Sequence, residues 1–162
     1  EQLGWDEEKK HILFPANPIR YEKNYVLALQ SIKSLDDINL ELHYFENVSH
    51  LQTPLWYNAA DVILLTSLWE GSPNAIKEAM ACNKSIVATN VGDIELLFGK
   101  EDGFYITKFN EKDCSKNIKQ AFDFLHNKTN TKGRDRLIAI RQDDVSIAKR
   151  IYDLYNNIIN KL

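Results

Sequence analysis

The chain of 162 residues alternates between short apolar runs and stretches in which hydrophobic residues recur every three or four positions. Apolar runs closed by polar residues or proline predict buried strands over residues 11–16, 40–45, 61–67, 85–89 and 103–107. The run 61–67 (DVILLTS) is continuous rather than alternating, which is typical of a central parallel strand covered on both faces.

Helical spacing separates these runs and continues after the last of them. It predicts helices over residues 24–35, 53–58, 73–82, 111–127 and from residue 144 to the end. Side chains suited to N-caps stand at the beginning of three of these helices: Thr53, Ser72 and Asn110. The polar stretch 127–134 (NKTNTKGR) predicts a flexible linker between helices.

The alternation of strands and helices predicts an α/β fold. We expect one domain over residues 1–162, built as a doubly wound, Rossmann-like parallel sheet with helices on both faces. In such folds a ligand binds beyond the carboxyl ends of the strands. The loops that follow the predicted strands are therefore the places to look for function.

Composition and charge remove several classes of protein. Hydrophobic residues make up 44% and charged residues 27%, as in ordinary globular proteins, and the net charge of −3 offers no basic field to nucleic acid. No apolar run approaches the roughly 18 residues that span a bilayer. Two cysteines are too few for a disulfide framework, which indicates a reducing, cytoplasmic location. The histidines lack metal-motif spacing, and Gly-rich dinucleotide and P-loop motifs are absent, so neither a metal nor a cofactor is expected.

The densest group of candidate site residues is TSLWEGSPNAIKEAM, which starts at Thr66 where a strand leads into a helix. Its middle residues, Gly71, Ser72, Pro73 and Asn74, place free amides at the positive end of the helix dipole. Such a position binds anions without a basic side chain. Every strand-to-helix junction has a similar geometry, so a purely structural turn remains the alternative at this point.

Two carboxylates frame the same helix start. Glu70 lies in the loop, and Glu78 lies on the second turn of the helix with its side chain tilted back toward the first. An ionised carboxylate accepts two hydrogen bonds and suits a vicinal diol such as that of a ribose or hexose. Diol acceptors beside anion donors suggest a sugar nucleotide, whereas a solvated helix residue at Glu78 and a loop acid at Glu70 are the structural alternatives.

The spacing E-x7-E in EGSPNAIKE, followed by AMA, SIVAT and VGDIE, resembles the retaining GT-B glycosyltransferases of family 4. The resemblance extends over nearly the whole chain. The opening LGWDEEKKHILFPA, the segment YNAADVILLTS and the ending YDLYNNII are all similar to the C-terminal, donor-binding half of those enzymes. The resemblance therefore implies that the chain is one half of a GT-B architecture.

The resemblance also implies roles for individual residues. It implies that Glu78 holds the ribose hydroxyls and that Glu70 contacts the transferred sugar as a catalytic residue. The amides around Gly71, Ser72, Pro73 and Asn74, together with the preceding Thr66, are then expected to line the donor site. Backbone groups near Val48, in the loop after the second strand, are expected to meet the base.

An arginine and a lysine after the first strand are implied to neutralise the departing diphosphate. Arg20 and Lys23 are the candidates, because preorganised cations stabilise charge that develops on a leaving group. They stand closer together than in the common family pattern, which makes Arg20 the weaker match. The segment VGDIE is one residue shorter than usual, so Gly92 is expected to make the turn and Glu95 is interpreted as a helix-start acid.

The function implied by the resemblance is transfer of a hexosyl group from a UDP- or GDP-sugar to a hydroxyl acceptor, in polysaccharide or glycoconjugate biosynthesis. The nucleotide-sugar is a substrate rather than a cofactor. An acceptor glycan or lipid-linked glycan would bind through a missing N-terminal domain, so this chain alone is expected to be inactive. The alternatives are a GT-B epimerase that acts on a UDP-sugar and a noncatalytic module that binds a sugar nucleotide.

The predicted last helix, residues 144–162, carries a long apolar stripe. Its members recur with helical spacing: Ala148, Ile151, Tyr152, Tyr155, Ile158, Ile159 and Leu162. The resemblance implies that this helix packs partly on the missing domain. Exposed in the isolated chain, the stripe predicts weak self-association, and the full-length protein is expected in the cytoplasm or peripherally at the cytoplasmic membrane face.

Overall fold

Five parallel strands form one sheet in the computed structural model, which describes residues 2–35, 39–128 and 130–160. The strands are β1 Lys10–Phe14, β2 Leu40–Tyr44, β3 Val62–Leu65, β4 Ser85–Thr89 and β5 Phe104–Thr107. Their order across the sheet is β2-β1-β3-β4-β5, and every neighbouring pair is parallel. The predicted α/β fold with a doubly wound, Rossmann-like sheet is confirmed.

Helices cover both faces of this sheet. They are α1 Tyr25–Lys33, α2 Thr53–Ala59, α3 Asn74–Ala81, α4 Ile94–Phe98, α5 Glu111–Asn127, α6 Gly133–Ala139 and α7 Asp144–Ile159. Side chains of α1 and α5 pack in one core, and side chains of α2, α3, α4 and α6 pack in the other. The sheet is therefore buried between two apolar layers, as a parallel sheet requires.

The central strand β3 shows why its sequence is apolar without alternation. Val62 and Leu64 point into the core beneath α1 and α5, whereas Ile63 and Leu65 point into the opposite core. All four side chains are fully buried. Because successive residues of a strand face opposite sides, a strand covered on both sides has no position for a polar residue.

Two of the three predicted N-caps are wrong. Thr53 is the first residue of α2 rather than its cap, and its hydroxyl donates to the carbonyl of His50 at 3.0 Å. The cap position of α3 is occupied by Pro73, while the Ser72 hydroxyl is directed to another loop. The third prediction is confirmed, because the Asn110 side chain accepts a hydrogen bond from the amide of Asp113 at 2.9 Å.

The stretch predicted as a flexible linker, 127–134, is held tightly where it is described, and Thr129 lies outside the described residues. The Thr131 amide donates to the carbonyl of Asn83 at 3.0 Å, and the Arg134 guanidinium donates to the carbonyl of Ala81 at 2.9 Å. Gly133 already begins α6, a helix that the sequence pattern does not predict. The polar composition of this stretch wrongly predicted flexibility, because its polar side chains and amides bond to the chain at the end of α3.

The terminal helix α7 begins at Asp144 as predicted, and the Asp143 side chain caps it by accepting from the Ser146 amide at 2.9 Å. Every residue of α7 is described, and none is buried. Its apolar side chains, including Tyr152 and Tyr155, are largely exposed, which confirms the expected apolar surface near the C-terminus. Leu162, the last member of the predicted stripe, lies outside the described residues. Among the residues that the structure describes, no helix combines the length and apolar character needed to cross a membrane.

The packing of α6 on α3 generates a stability prediction at Gly133. A Cβ added at Gly133 would lie 2.5 Å from the carbonyl oxygen of Met80. We expect Gly133→Ala to lower the free energy of unfolding by about 1–3 kcal/mol, because overpacking forces the backbones apart. Urea denaturation measures the change. Gly71→Ala is the matched control, because nothing lies within 4 Å of its added Cβ; equal stability of the two variants would contradict the prediction.

Candidate functional site

The candidate site lies at the carboxyl edge of the sheet, where the loops after β1 and β3 diverge. The chain passes from β1 outward to β2 and then returns across β1 to β3. The loop after β1 leads to α1 on one face, and the loop after β3 leads to α3 on the other face. Such a reversal of strand order opens a crevice between the two loops, and it is the usual ligand site of this fold class.

A buried ion pair joins the two loops in this crevice. The ammonium of Lys23, after β1, lies 2.6 Å from Oε1 of Glu70, after β3, and the Ser67 hydroxyl donates to the same oxygen at 2.7 Å. The two charged side chains are only 10% and 14% exposed. For Oε2 of Glu70 the described residues provide no hydrogen bond, so this oxygen is available to accept from a ligand hydroxyl.

Thr66, at the end of β3, is hydrogen-bonded to the backbone of the loop after β1. Its side chain is fully buried, and its hydroxyl lies 3.1 Å from the carbonyl oxygen of Lys23 and 2.9 Å from that of Asn24. The amide of Leu68 also donates to the carbonyl of Glu22 at 2.8 Å. The end of β3 therefore fixes the backbone that carries Lys23, and the Thr66 hydroxyl is engaged within the protein.

The loop after β4 supports the loop that contains Gly71 and Ser72. Gly92 has φ +59°, and a Cβ at Gly92 would lie 2.2 Å from the carbonyl oxygen of Gly71. The Ser72 hydroxyl donates to Asp93 at 2.6 Å. Gly92 thus makes the expected turn, because only glycine tolerates both this conformation and this close approach.

Glu95 lies in the first turn of α4, as expected for a helix-start acid. Its carboxylate accepts a hydrogen bond from the Asn90 side chain at 2.8 Å.

The amino end of α3 faces the same edge of the sheet. Pro73 occupies the cap position in an extended conformation, with φ −70° and ψ 111°, and the helix begins at Asn74. The first backbone amides of a helix have no intrahelical partner and carry the positive end of its dipole. A helix start of this kind can accept a phosphate group, and it follows Glu70 by four residues in the chain.

Glu78 is oriented by Tyr57, which is not among the site residues expected from the sequence. The hydroxyl of Tyr57, on α2, donates to Oε2 of Glu78 at 3.0 Å. Burial, followed by the effect of the Glu78 carboxylate, raises the pKa of Tyr57 far above its ordinary value, so the phenol stays a neutral donor. The signal available in the sequence was a tyrosine among apolar core positions in YNAAD, because a buried tyrosine needs a partner for its hydroxyl.

Oε1 of Glu78 faces the loop after β2. The Nε2 atom of His50 lies 3.9 Å from it, and the His50 side chain is highly exposed. Val48 lies half-buried in the same loop, directly after Asn47, which has φ 55°. The loop of Val48 and His50, which is expected to contact the base, therefore approaches Glu78, which is expected to bind the ribose.

Arg20 is not brought to the ion pair. Its side chain is 55% exposed, and its Nε atom donates to Glu22 at 2.7 Å. The structure thus brings together Lys23, Glu70 and the loop that leads into α3, and it leaves Arg20 at the rim. The tight turn Tyr21–Lys23 explains this separation, because it buries Lys23 while Arg20 precedes it on the surface.

Comparison with known proteins adds the family. A family model described as Glycosyl transferases group 1 matches residues 20–123. Among curated proteins, the N,N'-diacetylbacillosaminyl-diphospho-undecaprenol alpha-1,3-N-acetylgalactosaminyltransferase of Campylobacter jejuni is 27% identical over 165 aligned positions. This alignment covers 98% of the present chain and 43% of the relative.

Solved structures show the same fold. Sucrose-phosphate synthase from Thermosynechococcus elongatus matches with a TM-score of 0.82 at 16% identity, over 99% of this chain and 48% of that one. Anabaena HepE, solved in complex with UDP and glucose, matches with a TM-score of 0.69 at 16% identity, over 93% of this chain and 49% of that one. The chain therefore has the Rossmann-like fold found in GT-B glycosyltransferases and spans less than half the length of these relatives.

The buried pair predicts a measurable coupling between Lys23 and Glu70. We expect Lys23→Met and Glu70→Gln each to lower the free energy of unfolding by about 2–3 kcal/mol, because each leaves a buried polar partner uncompensated. The double variant should lose less than the sum, with a coupling energy of about 1–3 kcal/mol in urea denaturation.

The exposed pair Lys128–Asp102, 2.9 Å apart, is the matched control for this cycle. Its charges are screened by water, so its coupling should be far smaller. Equal coupling in the two pairs would contradict the interpretation that burial gives the Lys23–Glu70 pair its strength.

Proposed function

The chain belongs to the glycosyl transferases of group 1, and on that premise we propose that it is the donor-binding part of a retaining hexosyltransferase. The observation that carries the proposal is the buried Lys23–Glu70 pair, in which Glu70 belongs to the loop that leads directly into the amino end of α3. A cation, free amides and a carboxylate at one place match the phosphates and hydroxyls of a nucleotide-sugar. The retaining class is carried over from the resemblance of the segment EGSPNAIKE to the retaining enzymes of family 4.

In the proposed complex, Glu78 accepts hydrogen bonds from the two ribose hydroxyls. Tyr57 supports this role because its hydroxyl occupies one side of the carboxylate and fixes the orientation of the other. The loop that contains Val48 and His50 is then placed to contact the base through backbone groups. Fixed acceptors bind a diol with less loss of side-chain freedom than mobile acceptors do.

The diphosphate is proposed to lie between Lys23 and the start of α3. The Lys23 ammonium has three protons and uses one of them on Glu70, so the others can reach phosphate oxygens. The amides of Gly71, Ser72 and Asn74 complete the anion site. Thr66 contributes by holding the loop of Lys23 rather than by direct contact.

Glu70 is proposed to contact hydroxyls of the transferred sugar. Its Oε1 atom is held by Lys23 and Ser67, so Oε2 is the oxygen that would meet the sugar. When the bond between sugar and diphosphate breaks, negative charge grows on the leaving group. Lys23 and the dipole of α3 are already oriented to stabilise that charge, which requires neither a metal ion nor a cofactor. Arg20 could reinforce this effect from the rim only by leaving Glu22.

The acceptor is proposed to bind through residues outside this chain. The chain covers 43% of its curated relative, whose name specifies transfer to a lipid-linked diphospho-undecaprenol glycan. By that analogy we propose a lipid-linked or other glycan acceptor and a role in glycoconjugate or polysaccharide assembly. Because transfer needs both substrates in one geometry, the chain alone should turn over poorly. Family membership favours transfer over the epimerase and over the noncatalytic module.

Nucleotide titration tests the donor site without requiring turnover. We expect calorimetry to detect binding of UDP or GDP. UDP is the nucleotide to titrate first, because HepE was solved with it. Glu78→Ala should weaken binding by about 1–3 kcal/mol, because it removes the acceptor of the ribose hydroxyls. Tyr57→Phe should cost about 1 kcal/mol, because Glu78 loses its orienting hydrogen bond.

The matched control for this titration is Glu95→Ala, which removes an exposed carboxylate bonded only to Asn90 among the described residues. Its nucleotide affinity should equal that of the unaltered chain. An unchanged affinity in Glu78→Ala, or an equal loss in Glu95→Ala, would refute the proposed ribose contact.

Transfer by the full-length enzyme tests the role of Lys23. Lys23→Met should lower kcat by about 10²–10³-fold, because a preorganised charge at the leaving diphosphate is lost. Lys119→Met, on the exposed face of α5, is the control and should leave kcat unchanged. Treatment with EDTA should also leave transfer unchanged. Loss of transfer in EDTA that magnesium or manganese restores, but zinc does not, would show that a metal ion, rather than Lys23 and α3, neutralises the diphosphate.

A further inference from the structure

Two histidines and a glutamate converge at a place unrelated to the candidate donor site. His11 lies near the start of β1, whereas Glu41 and His43 lie on β2. In the parallel register, His11 pairs with Glu41 and Leu13 pairs with His43. Because alternate residues of a strand share a face, all three side chains project on the side of Leu13, the side covered by α2.

Their ligand atoms have the spacing of a metal site. Nδ1 of His11 lies 2.9 Å from Nε2 of His43, and Oε2 of Glu41 lies 3.8 Å and 3.7 Å from these two nitrogens. Ligand atoms bound to a tetrahedral zinc ion lie about 3.3–3.6 Å from one another, so zinc binding requires the two nitrogens to separate and the carboxylate oxygen to approach by a few tenths of an ångström. Among the described residues, this is the one group of three potential metal ligands so arranged.

The second nitrogen of His11 fixes the proton on that ring. Nε2 of His11 lies 2.9 Å from the carbonyl oxygen of Asp6. A carbonyl can only accept, so Nε2 carries the proton and Nδ1 presents its lone pair to Glu41 and His43. A histidine whose other nitrogen donates to a backbone carbonyl is the usual arrangement of a metal ligand.

The surroundings hold the cluster in place and leave it accessible. The ring of Trp5 stacks on that of His43 with centroids 3.6 Å apart, and the His11 side chain is 8% exposed. Lys9 binds Oε1 of Glu41 and leaves Oε2 toward the histidines. A groove lined in part by Trp5, Lys9 and Asp61 opens beside His11 and gives an ion a path of entry.

We propose that His11, Glu41 and His43 bind a zinc ion, with water as the fourth ligand. Two imidazole nitrogens and one carboxylate oxygen form a ligand set that zinc accepts. The ion fastens the segment of residues 5–9 to the edge formed by β1 and β2, because that segment supplies both the Asp6 carbonyl and the stacked Trp5. Without metal, the Nε2–H group of His43 donates to Nδ1 of His11 in its place.

Zinc titration of the chelator-treated, purified chain tests this site. Calorimetry should show one zinc ion per chain, and the melting temperature should rise with zinc concentration. His11→Ala and His43→Asn should each weaken binding at least about tenfold, since loss even of an outer-shell partner commonly has that effect. His126→Ala, which removes an exposed histidine on α5, is the matched control and should bind zinc as the unaltered chain does.

Two further variants keep the test decisive if removal of a histidine prevents folding. Glu41→Gln retains the shape of the side chain but removes the charge, and it should weaken zinc binding. Lys9→Met removes a cation that competes for Glu41, and it should tighten zinc binding. Absence of one-to-one binding, or equal zinc affinity in Glu41→Gln, Lys9→Met and the unaltered chain, would overturn the proposal and leave a simple hydrogen bond between the histidines.

Discussion

The Lys23–Glu70 ion pair is the interaction on which the arrangement of the site depends. It connects the loops after β1 and β3 at the point where the order of strands reverses, with charged atoms 2.6 Å apart and little exposed surface. Ser67 and Thr66 secure the two sides of the pair. A buried pair of this kind rarely adds much net stability, so its importance is positional: it holds a cation beside the carboxylate of the loop that leads into α3.

The remaining loops are arranged around that pair. Gly92 lets the loop after β4 approach Gly71 closely, and the Ser72 hydroxyl binds Asp93 across the same contact. Tyr57 reaches from α2 to orient Glu78. Each of these contacts joins a different pair of elements, so the parallel sheet acts as the frame that brings the loops after β1, β3 and β4 to a common edge.

Most of the fold could be predicted from the sequence. The bounds of β4 and α5 and the start of α7 are those predicted, because apolar runs, a true N-cap at Asn110 and helical periodicity are local signals. The predictions that proved wrong concern residues whose side chains suit either of two structural roles. Ser72 has a hydroxyl suited to a cap but uses it on Asp93, and the polar stretch before Gly133 binds the end of α3 rather than solvent.

The sequence by itself determined the alternation of strands and helices, the loop that carries Glu70 and Gly71, and the helix that carries Glu78. Periodicity, turn residues and the E-x7-E spacing are all signals within a short stretch of chain. Only the tertiary structure decided which distant residues meet. Lys23 and Glu70 are 47 positions apart, Tyr57 and Glu78 are 21 apart, and His11 and His43 are 32 apart. These meetings follow from the strand order β2-β1-β3 and from helix packing, which depend on how two apolar faces are buried together and not on any short stretch of sequence.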